Sequence, residues 1–390
     1  MSSYIASNDN RLYAAIEAAY GRVPEMDSGN RFPAVRFSAK QAIETSTRRD
    51  KTGTRTFLGA PTGTRRNTDY QLKTYLSSWS SQTEEPGYGP LFQAALGGDP
   101  QIHSGGTIAS ANSETRLTFQ GGHGLTAGQA IATGGELRFV SAVVDGQTIE
   151  INAPFSGFVG AGSIATPTVT YRPAKSLPSF SVLDCWSPDA AVQRVLCGGA
   201  VDEFSMIVNS DFHEFTFNGP GRDLIDSASF TDGQGELSAF PAEPAPGAFD
   251  HSVVPGHLGQ VWIGVTPERL YTLTSATLTL SNAIETRAKE FGLDGLRAIT
   301  PGQRKVSLDF ELFATADEQS AALYAAARQR SPMSVMFQLG QQEQQLFGVY
   351  LKSVVPELPD FDDSETRLSW SFLNCRAQGS DDDEVVIAFG

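Results

Sequence analysis

The strongest constraint on the fold is a run of seven residues, 306–312, in which apolar and polar side chains alternate. Val306, Leu308, Phe310 and Leu312 alternate with Ser307, Asp309 and Glu311. Successive side chains of a strand point to opposite faces of a sheet, so the run predicts a strand with one buried and one polar face. An ordinary solvated sheet is the simplest interpretation of the polar face. A second interpretation is a face turned towards phosphate, which two carboxylates would repel.

The composition agrees with a chain built mainly from strands. Of its 390 residues, 38 are glycine and 21 are proline, and only 19% are charged. This balance favours strands and turns over long helices. The length predicts two or three domains, each with a substantial core.

The charge, the hydropathy and the cysteine content argue against several classes of protein. With 29 Lys and Arg against 44 Asp and Glu, the formal net charge is −15, which argues against a surface that grips nucleic acid throughout. The sequence contains no run of ~18 apolar residues of the kind that predicts a membrane span. No signal peptide is recognisable at the N-terminus. Three cysteines suit a reducing compartment at synthesis. Cys185 and Cys197 are interpreted as buried thiols in neighbouring strands, although they would pair if they faced each other.

Three helices are expected. Apolar residues at helical spacing predict the first over Asn10–Tyr20, stopped by Gly21 and Pro24. A short one is expected over Leu91–Leu96. The third is expected to run to about Arg330 from a capping box formed by Thr315 and Glu318.

The segment 100–175 is rich in glycine and threonine and poor in charge. Its short apolar runs predict closely spaced strands, and Asp145-Gly146 predicts a hairpin turn through residues that tolerate positive φ. We expect a small β-barrel or β-sandwich inserted in a larger domain. Further along the chain, the Pro/Ala-rich stretch Phe240–Phe249 predicts an extended linker.

A short repeat suggests that the larger domain is duplicated. Ala42-Ile43-Glu44-Thr45 recurs as Ala283-Ile284-Glu285-Thr286. Each copy is followed by a polar loop, a basic pair (Arg65-Arg66 or Arg304-Lys305), an alternating strand, a helix and further strands. The sequence therefore predicts two copies of one β-sandwich module, with the small barrel inserted in the first.

The search for catalytic and metal sites finds none of the familiar motifs. The phosphate-binding loop, the G-x-S-x-G elbow and H-E-x-x-H are absent, and Gly122 to Gly128 is interpreted as a turn. His251 and His257 could share a metal, but ordinary loop histidines are the simpler interpretation. Two acidic clusters, 360–363 and 381–384, lack the pattern of a calcium loop and are interpreted as solvated surface. A catalytic carboxylate pair of the glycoside hydrolase type stays possible, because its two residues are adjacent in the fold and not in the sequence. We expect no enzyme, cofactor or metal.

Several stretches resemble the tail tube proteins of long-tailed bacteriophages. The resemblance is closest from Thr277 to the C-terminus, and the segment Leu12–Gly98 is similar to longer members of that family. The stretches that carry it are Asn282-Ala283-Ile284-Glu285, Gly302-Gln303-Arg304, Val306–Phe313, the helix after Asp317-Glu318, Gly348-Val349-Tyr350 and Gly379–Gly390 in the C-terminal part, and Glu17, Tyr20-Gly21 and Gly89-Pro90-Leu91 in the N-terminal part. The segment from His123-Gly124-Leu125 looks like the small β-barrel inserts of phage structural proteins.

The resemblance implies a structural virion protein with two tail-tube β-sandwich modules, each with a flanking α-helix. The first module would comprise 1–99, with its N-terminal helix, and 176–239. The inserted barrel would occupy 100–175, the linker 240–270 and the second module 271–390. The insert would decorate the outer surface, because it follows a helix expected to be external.

The resemblance also implies partners and a location. Subunits would self-assemble into stacked rings, with a homotrimer favoured for a duplicated chain and a hexamer as the alternative. The rings would enclose double-stranded DNA in transit, and Ser307, Asp309 and Glu311 would face the lumen. The tape measure and tail-end proteins would be further partners. The protein would be assembled in the host cytoplasm and reside in the virion tail, without contact with a membrane.

Two alternative functions stay open at this point. The inserted barrel could bind or process host carbohydrate, which would make the chain a tail-associated glycan-binding protein. A distal-tail hub protein would form single rings that do not stack.

Overall fold

The computed structural model describes most of the chain. The described residues are 4–44, 50–57, 59, 65–79, 85–186, 192–245, 251–287, 290–292 and 295–390. Within them the protein is mainly β, with 28 strands and two α-helices.

The strands and helices follow one another in this order. The first part contains β1 (Arg11–Ile16), β2 (Arg31–Phe32), β3 (Ala34–Glu44), β4 (Arg65–Tyr75) and α1 (Gly89–Leu96). The next contains β5 (Gln101–His103), β6 (Gly106–Ala111), β7 (Arg116–Phe119), β8 (Ala130–Thr133), β9 (Glu136–Val143), β10 (Thr148–Ile151), β11 (Ile164–Ala165) and β12 (Thr168–Tyr171). Then come β13 (Phe180–Cys185), β14 (Arg194–Gly199), β15 (Glu203–Val208), β16 (Glu214–Gly221), β17 (Asp223–Asp226), β18 (Gly259–Gly264) and β19 (Glu268–Leu270). The last part contains β20 (Leu273–Ser281), β21 (Glu285–Thr286), β22 (Ile299–Thr300), β23 (Lys305–Phe313), α2 (Glu318–Gln329), β24 (Met333–Leu339), β25 (Phe347–Val355), β26 (Asp360–Asp362), β27 (Ser369–Ala377) and β28 (Val386–Phe389).

The prediction of a helix over residues 10–20 is wrong, because this segment forms β1. Strand β1 lies between β13 and β2 in a five-stranded sheet of order β17-β14-β13-β1-β2. Its residues Leu12 to Ala15 are all buried, so apolar side chains are needed on both faces. A short apolar run of this kind is compatible with a strand buried on both faces as well as with a helix. The spacing of its apolar residues does not distinguish the two.

The largest sheet contains a long two-sided wall. Seven strands hydrogen-bond in the order β3-β4-β16-β15-β20-β23-β27, all antiparallel. One side of this wall faces the main core through alternate residues such as Leu72, Phe204, Phe217, Leu278 and Leu308, each almost fully buried. Beyond β27 the sheet continues through β25, β24, β18 and β19, and these strands also contribute to that core.

Helix α1 is buried in the main core, which corrects the expectation that it is external. Seven of its eight residues are buried, and Phe92 contacts the rings of Phe204, Phe217 and Phe389. The segment GPLFQAAL has one strongly polar side chain, so no face of the helix requires water. Gly97 ends the helix at φ 97°, as the glycine signal predicts.

Residues 106–165 form the small barrel. Its strands run in the order β11-β6-β7-β10-β9-β8, and a bridge between Ala132 and Thr166 nearly closes the circle. The expected hairpin joins β9 and β10, but neither residue of Asp145-Gly146 has a positive φ. The Asp145 carboxylate instead accepts hydrogen bonds from the amides of Gln147 and Thr148, both at 2.8 Å.

The barrel packs against the second layer of the large sheet. Leu137 and Phe139 share an apolar cluster with Met336 of β24 and Trp262 of β18. Arg138 is fully buried at this junction and donates to the carbonyls of Leu137 and Pro154. The barrel therefore lies on the side of the protein away from the outward face of the seven-stranded wall.

Two further sequence expectations need correction. The linker assigned to 240–270 contains β18 and β19, and β18 pairs with β24 along six residues. Helix α2 is capped by Asp317, whose carboxylate accepts from the amide of Ser320 at 2.8 Å, and not by Thr315. The helix ends at Gln329, close to the expected end at about Arg330, and Arg330 follows with a left-handed φ of 53°.

Candidate functional site

The candidate site is the outward face of the seven-stranded wall, here called the polar face. Ser307, Asp309 and Glu311 are half-exposed on it, while the alternate residues of β23 are buried. The alternation read from the sequence is thus confirmed. Their exposure to a lumen stays a prediction, because the lumen would be formed by several copies of the chain.

Neighbouring strands place polar residues opposite these three positions. In β20, Thr279, Thr277 and Ser275 lie opposite Ser307, Asp309 and Glu311, respectively. In β27, Arg376 lies opposite Ser307 and Ser371 lies opposite Glu311. The register of β27 shifts between these two positions.

Within the described residues, Asp309 has a side-chain hydrogen bond that Ser307 and Glu311 lack. Its carboxylate accepts a hydrogen bond of 2.6 Å from the amide of Asn374, which adopts a left-handed φ of 57° in the irregular part of β27. The side chain therefore holds a bulge in the wall. The alternation of the sequence gave no sign of this contact.

The charges on the polar face are balanced. By strand register, its outward positions carry six acidic residues, Glu44, Asp69, Glu203, Glu214, Asp309 and Glu311, and six basic residues, Arg36, Lys40, Arg65, Lys73, Lys305 and Arg376. Among the seven strands of the face, only β23 carries two of these carboxylates. A face without a basic surplus gives phosphate no cluster of cations to bind.

The polar face ends in two strands that pair on one side only. Among the described residues, β3 pairs with β4 alone and β26 pairs with β27 alone. Strand β3 has 11 residues, and its outward positions are exposed. Unpaired edges expose backbone N–H and C=O groups that another strand can satisfy. These edges are not recognisable in the sequence, because an alternating pattern does not reveal which strands pair.

The chain also contains an internal example of how such edges join. Strands β15 and β20 pair in register from Glu203↔Ser281 to Val208↔Ala276. This joint connects the four strands β3-β4-β16-β15 to the four strands β20-β23-β27-β26.

The residues considered for chemistry have ordinary structural roles. No group of three or more His, Cys, Asp or Glu that could hold a metal occurs among the described residues. The His251 ring lies 3.0 Å from the carbonyl oxygen of Ser78. Burial raises the pKa of the Cys185 and Cys197 thiols to about 12, and neither forms a disulfide. No helix in the described part of the chain is long and apolar enough to cross a membrane.

The second acidic cluster is more than solvated surface. Asp382 and Glu384 bind Arg304 at 3.2 and 2.7 Å, and Asp383 binds Lys352 at 3.0 Å. The first cluster does extend into solvent, since Asp360, Asp362 and Asp363 are all exposed.

One comparison with known proteins identifies a family. The sequence profile of the family described as phage tail tube protein matches residues 7–366. No curated protein matches the chain.

Proposed function

The chain belongs to the phage tail tube protein family and is thus a structural component of the phage tail, and we propose that its copies self-assemble into stacked rings that form the genome channel. One observation carries the ring proposal. The seven-stranded polar face, extended by β26, is bounded by two strands, β3 and β26, that each pair on one side only among the described residues. A closed ring removes both edges at once.

The internal joint supports a specific way of closing the ring. Each four-stranded group consists of a strand pair joined by a long loop, β3-β4 or β20-β23, and a later hairpin, β15-β16 or β26-β27. In this correspondence β26 is the counterpart of β15, and β3 is the counterpart of β20. We propose that β26 of one copy pairs with β3 of the next, as β15 pairs with β20 within the chain.

This arrangement favours a trimer. Two four-stranded groups in each copy give six groups in a ring of three, which has pseudo-sixfold symmetry. The preference for a trimer rests on the duplication that the sequence repeat predicts. A hexamer of the same chain would need twelve groups and a wider channel.

In such a ring the polar face lines the channel. Ser307, Asp309 and Glu311 would then face the passing DNA, and a wall without a basic surplus would let the DNA backbone slide without a firm hold. The small barrel packs on the opposite layer and would decorate the outside. Assembly in the host cytoplasm, with the tape measure and tail-end proteins as further partners, belongs to the same proposal.

Cysteine pairs across the proposed joint test the ring. We expect Ser38→Cys in β3, combined with Asp362→Cys in β26, to form disulfides between copies on mild oxidation. Lys40→Cys with Asp362→Cys samples the next outward position of β3. A denaturing, non-reducing gel should show a ladder that stops at three copies.

A matched pair controls for random collisions between subunits. Glu114→Cys lies in an exposed loop of the small barrel, and with Asp362→Cys it should give no ladder. A ladder that stops at six copies would replace the trimer with the hexamer. Equal crosslinking of the control pair, or none of the β3 pairs, would contradict the joint.

A further inference from the structure

A large cleft opens at one end of the polar face, where β23 begins and β27 ends. Its volume is about 830 Å³. The lining includes five basic residues, Lys175, Arg304, Lys305, Arg330 and Arg376, and three carboxylates, Glu357, Asp382 and Glu384. It is therefore a charged cleft with a basic surplus.

The carboxylates of the cleft are already engaged. Arg304 binds Asp382 and Glu384, and Arg330 binds Glu357 through two bonds of 2.9 and 3.1 Å. Lys175, Lys305 and Arg376 have no carboxylate within ion-pair distance in the described part of the chain. The surplus charge of the cleft is carried by these three residues.

The opposite end of the same strands carries an acidic turn, residues 360–365. Its four carboxylates, Asp360, Asp362, Asp363 and Glu365, are exposed, and none forms an ion pair with a described residue. Nearby Arg367 lies over the ring of Phe313 instead, 5.2 Å from its centre.

The register places the cleft and the turn at the two ends of one sheet. Lys305 is the first of the nine residues of β23, and its last residue, Phe313, pairs with Ser369, which also pairs with Asp362. At about 3.3 Å per residue, the two ends are roughly 30 Å apart along the strands. Copies translated along the strand direction would therefore bring the turn of one to the cleft of the next.

We propose that the cleft receives the acidic turn of a second copy in the next ring. Such a contact joins two different surfaces, so it repeats without closing and produces a tube with a defined polarity. Charge complementarity favours this occupant, since the carboxylates of Asp363 and Glu365, which follow β26 and form no ion pair with a described residue, meet three unpaired cations. A nucleic acid is less suited, because the chain carries a net charge of −15 and the Asp382 and Glu384 carboxylates line the cleft. The inference rests on the proposed function and names the residues that stack the rings.

Reciprocal charge reversal tests this contact. Lys305→Glu with Arg376→Glu makes the cleft acidic, and Asp363→Lys with Glu365→Lys makes the turn basic. None of these four side chains has a hydrogen bond or ion pair within the described residues, so both variants should fold. In electron micrographs each variant alone should form rings, with tubes at least tenfold fewer than in the wild type.

Mixing the two variants gives a result that loss of folding cannot imitate. In an equimolar mixture of rings, alternation makes every interface complementary: a basic turn meets an acidic cleft at one interface, and an unchanged acidic turn meets an unchanged basic cleft at the next, so tubes should return. A control with the same charge change as the turn variant, Glu114→Lys with Asp232→Lys, should stack like the wild type. Tubes from either variant alone, or no tubes from the mixture, would overturn the inference.

The outcomes separate this inference from the proposed function. If the wild type forms neither rings nor tubes, the proposed function fails. If the wild type forms tubes and both variants stack normally, only the stacking contact fails. Loss of binding to a short DNA duplex by the cleft variant, with stacking intact, would assign the cleft to nucleic acid and overturn the proposal.

Discussion

Glu17 shows how one buried charge fixes a chain reversal. Its side chain is only 6% exposed, and its two oxygens accept hydrogen bonds from the amides of Gly21 and Gly198 and from the hydroxyls of Ser179 and Ser181. The bond to Gly21 closes the turn after β1, and the other three tie this segment to the start of β13 and to β14. A carboxylate out of water is stable only when its oxygens are satisfied in this way.

Removal of this carboxylate should destabilise the protein. Glu17→Ala leaves four buried donors without an acceptor, which should lower the free energy of unfolding by about 3 kcal/mol or more. Glu17→Gln keeps one acceptor oxygen and should cost less. The midpoint of urea unfolding measures both, with exposed Glu25→Ala as the control, expected within about 0.5 kcal/mol of wild type. A Glu17→Ala midpoint equal to that of the control would contradict this role.

At the scale of single elements, sequence patterns predicted those strands and helices whose burial pattern is visible in their own residues. Strand β23 was recognisable because one of its faces is buried and the other is not. Strand β1 was not, because burial on both faces removes the alternation that identifies a strand. Helix α1 was located correctly but placed outside, since its position depends on contacts with residues more than a hundred positions away, such as Phe217.

The N-terminal cap of α2 is Asp317, whereas the sequence pattern predicted Thr315. Thr315 and Asp317 both precede the helix, but only the Asp317 carboxylate accepts from a first-turn amide, that of Ser320. The Thr315 hydroxyl instead contacts the side chains of Asp317 and Ser320, each at 2.7 Å.

Asp317→Ala should therefore lower the free energy of unfolding by about 1 kcal/mol, and Thr315→Ala by less. Asp317→Asn, which can also cap, should recover most of the loss. Thermal unfolding under identical buffer conditions compares the three variants. A larger loss for Thr315→Ala would restore the capping box that the sequence suggested.

At the scale of the whole molecule, the polar face is the feature that connects the fold to its proposed role. The sequence predicted its residues on β23 but not its extent, because the seven strands come from segments between residues 34 and 377. The charge balance across the face also depends on this pairing. A single alternating run could suggest an acidic surface, whereas only the register shows six basic residues beside the acidic ones.

Added positive charge on the polar face should slow passage of DNA. Ser307→Lys with Glu311→Lys changes the face by three charges in each copy and spares Asp309, which holds the bulge at Asn374. Tubes should assemble normally, while genome ejection from phage carrying the variant should fall several-fold at low salt and recover as salt screens phosphate contacts. Ser307→Gln with Glu311→Gln is the uncharged control. Ejection equal to wild type at all salt concentrations would contradict a luminal position.

The central claim is that copies of this chain join through β3 and β26 into rings that stack. Cryo-electron microscopy of the concentrated, purified protein tests it most directly. The predicted result is a ring of three copies with six similar sheet groups around the channel, the polar face inward and the small barrels outside. Discrete monomers at high concentration, or rings in which β3 and β26 stay unpaired, would contradict it.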